Sequence, residues 1–259
     1  MMLKLTERNY FSRRASREYM SVSQFKAFEQ CPARAMAEIA GRYTREQTEA
    51  LLVGSYVDAH FEGKLDAFVE QYAPEVFTRT GTKRAAFAQA DEIIERVSRD
   101  RQFMRHMSGE KQVIMTGIIK GVPVKIKIDS LLPDRIVDLK IMKDFEPVKH
   151  PEKGLIPWFE AWEYDLQGAV YQEIVWQNTG KRLPFYLAAA TKEKITDFDV
   201  IHIGQGYLDF AFERVDRDIE MYDAIKRRVI PADRCEKCEF CKKTKRIKQP
   251  TEAEEFYLI

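Results

Sequence analysis

The stretch DSLLPDRIVDLK, from Asp129 to Lys140, decides the fold. From Val124 to Asp129, apolar residues alternate with polar ones, which is the period of a half-buried strand. Pro133-Asp134 indicates a turn, and the apolar residues from Ile136 to Ile141 predict a second strand. The stretch therefore predicts a hairpin, with Asp129 at the end of its first strand.

Three polar side chains of this hairpin are expected to converge. Asp138 and Lys140 lie on one face of the second strand, because strand side chains repeat every second residue, and Asp129 ends the first strand. Carboxylates are the hard oxygen ligands that Mg²⁺ or Mn²⁺ needs. A lysine beside them could hold or deprotonate an attacking water, or stabilise a pentavalent phosphate. The acid-x-Lys pattern alone is not specific, because Glu62-Gly63-Lys64 matches it too. A solvated hairpin with an ion pair is therefore the alternative interpretation.

Two further side chains lie downstream, where YDLQGAVYQEI carries Gln167 and Tyr171 four residues apart on a predicted helix. The acidic motif of the hairpin resembles the signature of the PD-(D/E)XK nuclease superfamily, with Asp129 followed after eight residues by Asp138-x-Lys140. The Gln-x-x-x-Tyr spacing resembles the RecB-type branch, which includes phage recombination exonucleases and CRISPR-associated nucleases that carry a cysteine-bound cluster. The resemblance spans roughly residues 21–241, most of the chain.

This resemblance implies a fold and a set of roles. The fold is α/β, a restriction-endonuclease-like central mixed sheet flanked by helices, with an N-terminal helical elaboration and a C-terminal cysteine segment. Lys140 orients the attacking water, while Gln167 and Tyr171 face the active site and position the substrate; a buried Gln–Tyr hydrogen bond is the alternative for that pair. The implied ligands of Mg²⁺ or Mn²⁺ are Asp129, Asp138 and the carbonyl of Leu139.

Composition limits the class of protein. The chain has 259 residues, 45% of them apolar, which is enough for a sizeable core in a single domain. Its net charge is +1, so nucleic-acid binding must come from local basic patches. The sequence contains no run of about 18 apolar residues, so no membrane span is expected. The N-terminus lacks the apolar core of a signal peptide. We expect a soluble, cytoplasmic protein.

Within this single nuclease domain, four segments are predicted. They are a basic N-terminal arm (1–20), the helical elaboration (21–109), the catalytic core (110–230) and the cysteine segment with its tail (231–259). A loop over 142–161 combines lysines with Trp158 and Phe159, just before Trp162. These aromatic residues either stack on single-stranded nucleic acid or pack into the core. Lysines up to Lys248 follow the cysteines and suit DNA phosphates, and the tail TEAEEFYLI could pack on the body or dock a partner.

The four cysteines are arranged as one plus three. Cys31 is followed far along the chain by the C-x₂-C-x₂-C run of Cys235, Cys238 and Cys241, which in a cytoplasmic chain favours metal over disulfides. SVSQFKAFEQCPARAMAEI, which contains Cys31, resembles the opening of the iron–sulfur-bearing RecB-type nucleases. The resemblance implies a [4Fe–4S] cluster on these four cysteines, although the last spacing is shorter than is common in that group. A four-cysteine zinc site is the alternative.

The third metal ligand is where the sequence departs from the family pattern. In LLVGSYVDAHFEG, matching by residue type selects His60, whereas matching by spacing selects Asp58, four residues after Gly54. Gly54, Asp58 and Glu62 share one helix face, and His60 is turned about 200° from Asp58. We expect Asp58 to be the ligand.

The expected function is metal-dependent hydrolysis of DNA phosphodiesters, by an exonuclease of phage or prophage recombination type. Its substrate would be linear DNA, at ends or as a single strand, and a recombination protein is a candidate partner. Two other classes explain parts of the sequence. One is a non-catalytic nucleic-acid-binding module with a zinc site, and the other is a structural subunit of a recombination complex with a decayed active site.

Overall fold

A five-stranded mixed sheet lies at the centre of the computed structural model, which describes residues 2–247. The strands are β1 (Glu110–Ile119), β2 (Val122–Leu132), β3 (Arg135–Met142), β4 (Val148–His150), β5 (Gly154–Ile156), β6 (Phe185–Thr191) and β7 (Phe198–Ile203). Their order in the main sheet is β1-β2-β3-β6-β7, with β3 and β6 parallel and the other neighbours antiparallel. Strands β4 and β5 form a separate hairpin.

Helices cover both faces of this sheet. They are α1 (Arg13–Glu18), α2 (Val22–Gln30), α3 (Pro32–Ile39), α4 (Glu49–Phe61), α5 (Leu65–Gln71), α6 (Ala73–Val76), α7 (Ala85–Ser98), α8 (Arg101–His106), α9 (Trp158–Ala161), α10 (Tyr164–Thr179), α11 (Gln205–Lys226) and α12 (Glu239–Lys243). The predicted α/β class, a central mixed sheet flanked by helices, is confirmed. Among residues 2–247, no helix combines the length and the apolar character that a membrane crossing requires.

The two faces of the sheet bury two separate hydrophobic cores. On β3, Ile136 packs into the core built with α2, α10 and α11, whereas Val137 and Leu139 pack into the core built with α4, α7 and α8. This division follows from the alternation of side chains along a strand. The strand that carries the predicted acid–lysine pair is therefore held from both sides.

The apolar spacing after Ser21 predicts one helix from Gln24 to about Gly41. This prediction is wrong, because the chain forms two helices there. Cys31 adopts an extended conformation (φ −168°, ψ 100°) between α2 and α3, and Pro32 is the first residue of α3. Proline lacks the N–H that would continue α2, and it disfavours a helical conformation at the residue before it. The break turns the Cys31 side chain out of the regular helix pattern.

The apolar spacing from Lys83 to about Met107 predicts another single helix, but the structure has two helices in this segment. Helix α7 ends at Ser98, and Asp100 begins α8 by accepting hydrogen bonds from the backbone N–H groups of Gln102 and Phe103. The apolar periodicity continues across this break, so the periodicity alone did not reveal it.

The N-terminal arm packs on the body of the protein. Tyr10 is buried, and the arm contains the short helix α1. The Met20 N–H donates to the Pro123 carbonyl at 2.7 Å, and the Lys125 N–H donates to the Met20 carbonyl at 2.9 Å. The arm thereby joins β2, the strand of Asp129. Lys248 and the tail at 251–259 lie outside the described residues.

The segment 142–161, predicted as a long loop, contains the β4–β5 hairpin. Trp158 is buried and stacks on Phe145 with ring centroids 5.2 Å apart, which fits the core alternative for this residue. Trp162 remains exposed on the surface.

The packing of α10 on the sheet yields a stability prediction. A Cβ on Gly168 would lie 2.4 Å from a ring carbon of the fully buried Phe185, whereas a Cβ on Gly54 would meet nothing within 4 Å. We expect Gly168→Ala to lower the free energy of unfolding by about 2 kcal/mol. Gly54→Ala, the matched control, should raise it by about 0.5–1 kcal/mol through helix propensity. Urea denaturation measures both, and equal effects at the two positions would contradict this account of the α10–β6 contact.

Candidate active site

The candidate site begins where β2 and β3 separate. The two strands pair only from Ser130–Leu132 to Arg135–Val137, on either side of the predicted turn. Beyond that point the Leu139 N–H donates to Asp129 Oδ2 at 2.9 Å instead of to the β2 backbone. Because the N–H and C=O of a strand residue point to the same edge, the Leu139 carbonyl also faces the opening. The prediction that Asp129 ends its strand is wrong, because β2 continues to Leu132. Asp129 lies at the point where β2 and β3 separate.

Asp129 is also held from β1, by a residue that sequence reasoning missed. Gln112 lies on β1 between Lys111 and Val113, which pair with the two neighbours of Asp129, and its Nε2 donates to Asp129 Oδ1 at 3.2 Å. Its backbone is left-handed, with φ of 54°, a conformation that costs a non-glycine residue about 1 kcal/mol. The sequence signal was absent, since a strand glutamine with this backbone looks like any other polar strand residue.

Asp138 and Lys140 share one face of β3, as predicted. Asp138 is buried, and its Oδ1 accepts a hydrogen bond of 2.7 Å from Gln167 Nε2. The Lys140 ammonium forms an ion pair with Oδ2, and a carboxylate oxygen offers about two lone-pair sites, of which this contact uses one. This carboxylate oxygen therefore keeps acceptor capacity directed into the site.

Asp58 from α4 lines the same cleft as Asp129 and Asp138. Within residues 2–247, His60 does not line this cleft. Its ring packs edge-on against that of Phe61, with the centroids 5.1 Å apart. The two positions thus point in different directions, as helix geometry requires for residues two apart. Three carboxylates and one lysine meet in the opening.

Burial and crowding perturb the ionisation of this group. Burial raises the pKa of Asp138 to about 7 despite the opposing effect of Lys140. Desolvation, reinforced by Asp129, raises the pKa of Asp58 well above its ordinary value. Burial alone would lower the pKa of Lys140, but Asp138 and Asp129 outweigh it and raise that pKa. Neighbouring acids add to burial in disfavouring the ionised forms of Asp58 and Asp138, and crowded carboxylate oxygens of this kind fit a divalent cation.

Helix α10 spans the opening between the two strands. Gln167 bonds to Asp138 on β3, and the Tyr171 hydroxyl donates to the Lys127 carbonyl on β2 at 2.9 Å. Both residues line the cleft, on the helix face that their spacing of four predicted. One helix thereby fixes the two strands that carry the acids.

The cleft, of about 390 Å³, has further basic and aromatic walls that sequence reasoning did not assign. Lys26, Lys125 and Lys127 line it, as do Tyr10 and Phe11 of the N-terminal arm. These residues come from three separate segments, so only the folded chain shows that they share a surface.

The four cysteines form a second cluster. Their sulfur atoms all lie within 4.8 Å of one another, with Cys31 and Cys241 at 3.6 Å. The Cys238 N–H donates to the Cys235 sulfur at 3.3 Å and lowers the pKa of that thiol to about 6. Thiolates at this spacing can hold a metal, and they would join α3 to the segment that contains α12.

The crowded acids lead to a prediction for the metal-free protein. Ionised Asp58 is disfavoured in the folded state, so its cost is present above its raised folded pKa and absent below its unfolded pKa near 4. In EDTA at pH 8, Asp58→Asn should raise the free energy of unfolding by about 1 kcal/mol. The gain should fade as the pH falls towards 4. Urea titrations at several pH values measure it, with the exposed-acid variant Glu70→Gln as control; lower stability of Asp58→Asn at pH 8 would contradict the charge argument.

Known proteins resemble this chain in sequence and in fold. A family model described as a PDDEXK-like domain of unknown function matches residues 21–244. The crystal structure of a protein from Eubacterium rectale, provisionally named an exonuclease, is 44% identical and superposes with a TM-score of 0.95 over 98% of each chain. Among curated proteins, no significant match is found. The two matches support a nuclease. The chain belongs to the PDDEXK-like family and thus to the PD-(D/E)XK nuclease superfamily.

Proposed function

We propose that this protein is a Mg²⁺- or Mn²⁺-dependent deoxyribonuclease that cleaves phosphodiester bonds in the opening between β2 and β3. The observation that carries the proposal is the meeting of Asp58, Asp129, Asp138 and Lys140 around the unpaired edge of β3. A structural role would not require three carboxylates, one of them buried, to line a single cleft beside Lys140.

The donor set supports a hard divalent ion. Asp58, Asp129 and Asp138 would hold it, together with the Leu139 carbonyl, because all four offer oxygen atoms and each carboxylate oxygen has more than one lone-pair site. When bound, such an ion supplies charge stabilisation to the phosphate and makes a bound water more acidic.

Lys140 acts in this proposal as a donor and not as a base. In the metal-free site, Asp138 and Asp129 raise the pKa of Lys140, which keeps the ammonium protonated and favours a donor role over that of a base. The ring of Tyr164 lies 4.8 Å from the ammonium and holds it by a cation–π contact. We therefore assign Lys140 to orienting the attacking water and to stabilising the negative charge on the phosphate.

Gln167 and Tyr171 serve as positioning residues. Gln167 fixes the orientation of the Asp138 carboxylate, and Tyr171 fixes the β2 backbone two residues before Asp129. Their main effect on DNA is then indirect, through the geometry of the acids, although both also line the cleft.

The finer assignment is an exonuclease of phage or prophage recombination type, which acts on linear DNA and has a recombination protein as partner. The provisional name of the Eubacterium rectale relative supports the exonuclease part. The lysines in the cleft wall suit the phosphates of a DNA strand.

For the cysteine cluster, we propose a structural metal. Tetrahedral zinc with Zn–S bonds of about 2.3 Å separates its sulfur ligands by about 3.8 Å. The separations of 3.6 Å for Cys31–Cys241 and 3.9 Å for Cys235–Cys241 support this alternative. A [4Fe–4S] cluster, the expectation from the sequence, binds each sulfur to a different iron and spreads the four sulfurs further apart.

The catalytic proposal is tested by substitution. Asp129→Asn, Asp138→Asn and Lys140→Ala should each reduce cleavage of a labelled linear duplex in Mn²⁺ by at least roughly 100-fold, because each removes an ion ligand or the donor to the reacting group. Lys143→Ala is the matched control, since the Lys143 side chain is 93% exposed. Circular dichroism checks that the variants fold. Wild-type cleavage by any of the three would rule out this assignment.

The third ligand has its own test. Asp58→Ala should weaken Mn²⁺-dependent cleavage severely, whereas His60→Ala should stay within about threefold of wild type, because only Asp58 lines the cleft. Initial rates across a Mn²⁺ titration measure both variants. The reverse ranking would show that the histidine is the functional residue.

The metal of the cysteine cluster can be identified directly. Protein purified anaerobically from cells supplied with both iron and zinc should contain about one zinc per chain and be colourless. About four irons per chain and absorbance near 400 nm would instead establish the cluster. Cys31→Ser should lose the metal and lower the melting temperature, with the chelator-treated wild type as comparison.

A further inference from the structure

Phe11 is an exposed aromatic side chain at the entrance to the candidate active site. It is 76% exposed, which is unusual for a phenylalanine, and it belongs to the N-terminal arm, outside the matched family region. A single exposed apolar residue carries no meaning by itself. The surroundings of Phe11 give it one.

Two clefts meet at this residue. The first, of about 390 Å³, contains Asp138, Lys140 and Lys26, and the second, of about 580 Å³, contains Glu62, Lys64 and Tyr72. Four residues line both clefts, namely Phe11, Asp58, Lys127 and Asp129. The two clefts therefore have a common wall, which contains Phe11 and two of the acids.

The ring of Phe11 is held next to a positive charge. The Lys127 ammonium lies 5.1 Å from its centroid, and the Tyr10 ring meets it edge-on at 5.0 Å. Most of the ring surface stays open to the clefts. An open aromatic face beside an ammonium matches a nucleotide, whose base stacks on aromatic rings and whose phosphate binds cations.

The arm that carries Phe11 is fixed. The Lys125 ammonium donates to the Tyr10 carbonyl and lies 4.4 Å from the Tyr10 ring centroid. Lys226 donates to the Tyr19 carbonyl at 2.6 Å, at the other end of the arm. The ring is therefore positioned before any substrate arrives, which reduces the entropy lost on binding.

From this geometry we infer that Phe11 is a stacking residue for an unpaired base next to the scissile phosphate. The inference rests on the proposed nuclease function and specifies its substrate at the reaction point as a single strand, either free or separated at a duplex end. A paired base inside a duplex is covered by its neighbours and cannot present its face to the ring. Lys127 would contact the phosphate on the same side.

The test compares binding and cleavage. Dissociation constants are measured by anisotropy for a labelled 12-nucleotide single strand with Ca²⁺ in place of Mn²⁺. Phe11→Ala should weaken binding about tenfold, and Phe11→Trp should stay within about twofold of wild type. Phe11→Leu, which keeps the apolar surface but not the aromatic face, should resemble the alanine variant. Phe210→Ala is the control, because Phe210 is 65% exposed but lines neither cleft.

An abasic strand separates stacking from a structural role. Wild type should lose about tenfold in affinity for a strand without bases, and Phe11→Ala should lose little more, because both changes remove the same contact. Under Mn²⁺, Phe11→Ala should raise KM for the single strand with kcat largely unchanged. Equal affinities of wild type and Phe11→Ala for the normal strand would overturn the stacking role, and so would the absence of single-strand binding by wild type.

The outcomes keep the two proposals apart. Cleavage by wild type with no effect of Phe11→Ala would retain the nuclease and remove the stacking residue. An absence of cleavage by wild type would remove the nuclease and, with it, the role of Phe11 at a scissile phosphate.

Discussion

The hydrogen bond from the Leu139 N–H to the Asp129 carboxylate is the constraint on which the candidate site depends. It takes a donor that a continuing β-ladder would pair with the backbone of β2 and gives it to a side chain. The ladder can therefore end after three residue pairs without leaving this buried amide unpaired, which would cost about 1–3 kcal/mol. The sheet remains intact on either side because β3 keeps its pairing with β6, and β2 keeps its pairing with β1.

The other parts of the site follow from this opening. Strands that diverge need support across the gap, and α10 supplies it through Gln167 on one strand and Tyr171 on the other. The opening also gives the Asp58 side chain of α4 access to the acids of the sheet. Burying acidic side chains and Lys140 in this opening costs free energy on folding. The hydrophobic cores on the two faces of β3 must offset that cost and hold the strand in place.

Local periodicity predicted much of the architecture from the sequence. The alternation along β2 and β3 placed Asp138 and Lys140 on one face, and the angle between residues two apart on a helix separated Asp58 from His60. Contacts between distant segments could not be predicted in this way. Gln112 lies on a strand with an ordinary pattern, and Phe11 lies in an arm whose sequence indicates only a basic segment, either solvated or in contact with DNA phosphates. The break at Cys31 did have a signal in Pro32, but the apolar residues on both sides continued the helix period and concealed it.

The contact between the sulfur atoms of Cys31 and Cys241, which lie 210 residues apart in the chain, has a consequence for biosynthesis. A ribosome releases α2 and α3 early, long before the segment with Cys235, Cys238 and Cys241 has been translated. Until then, Cys31 has none of the other three thiols to contact. Helices α2 and α3 lack this contact while the sheet assembles. At the proposed metal site, loading would therefore follow the synthesis of every strand of the sheet. It would be a late step in maturation, at which the supply of metal limits the yield of the finished protein.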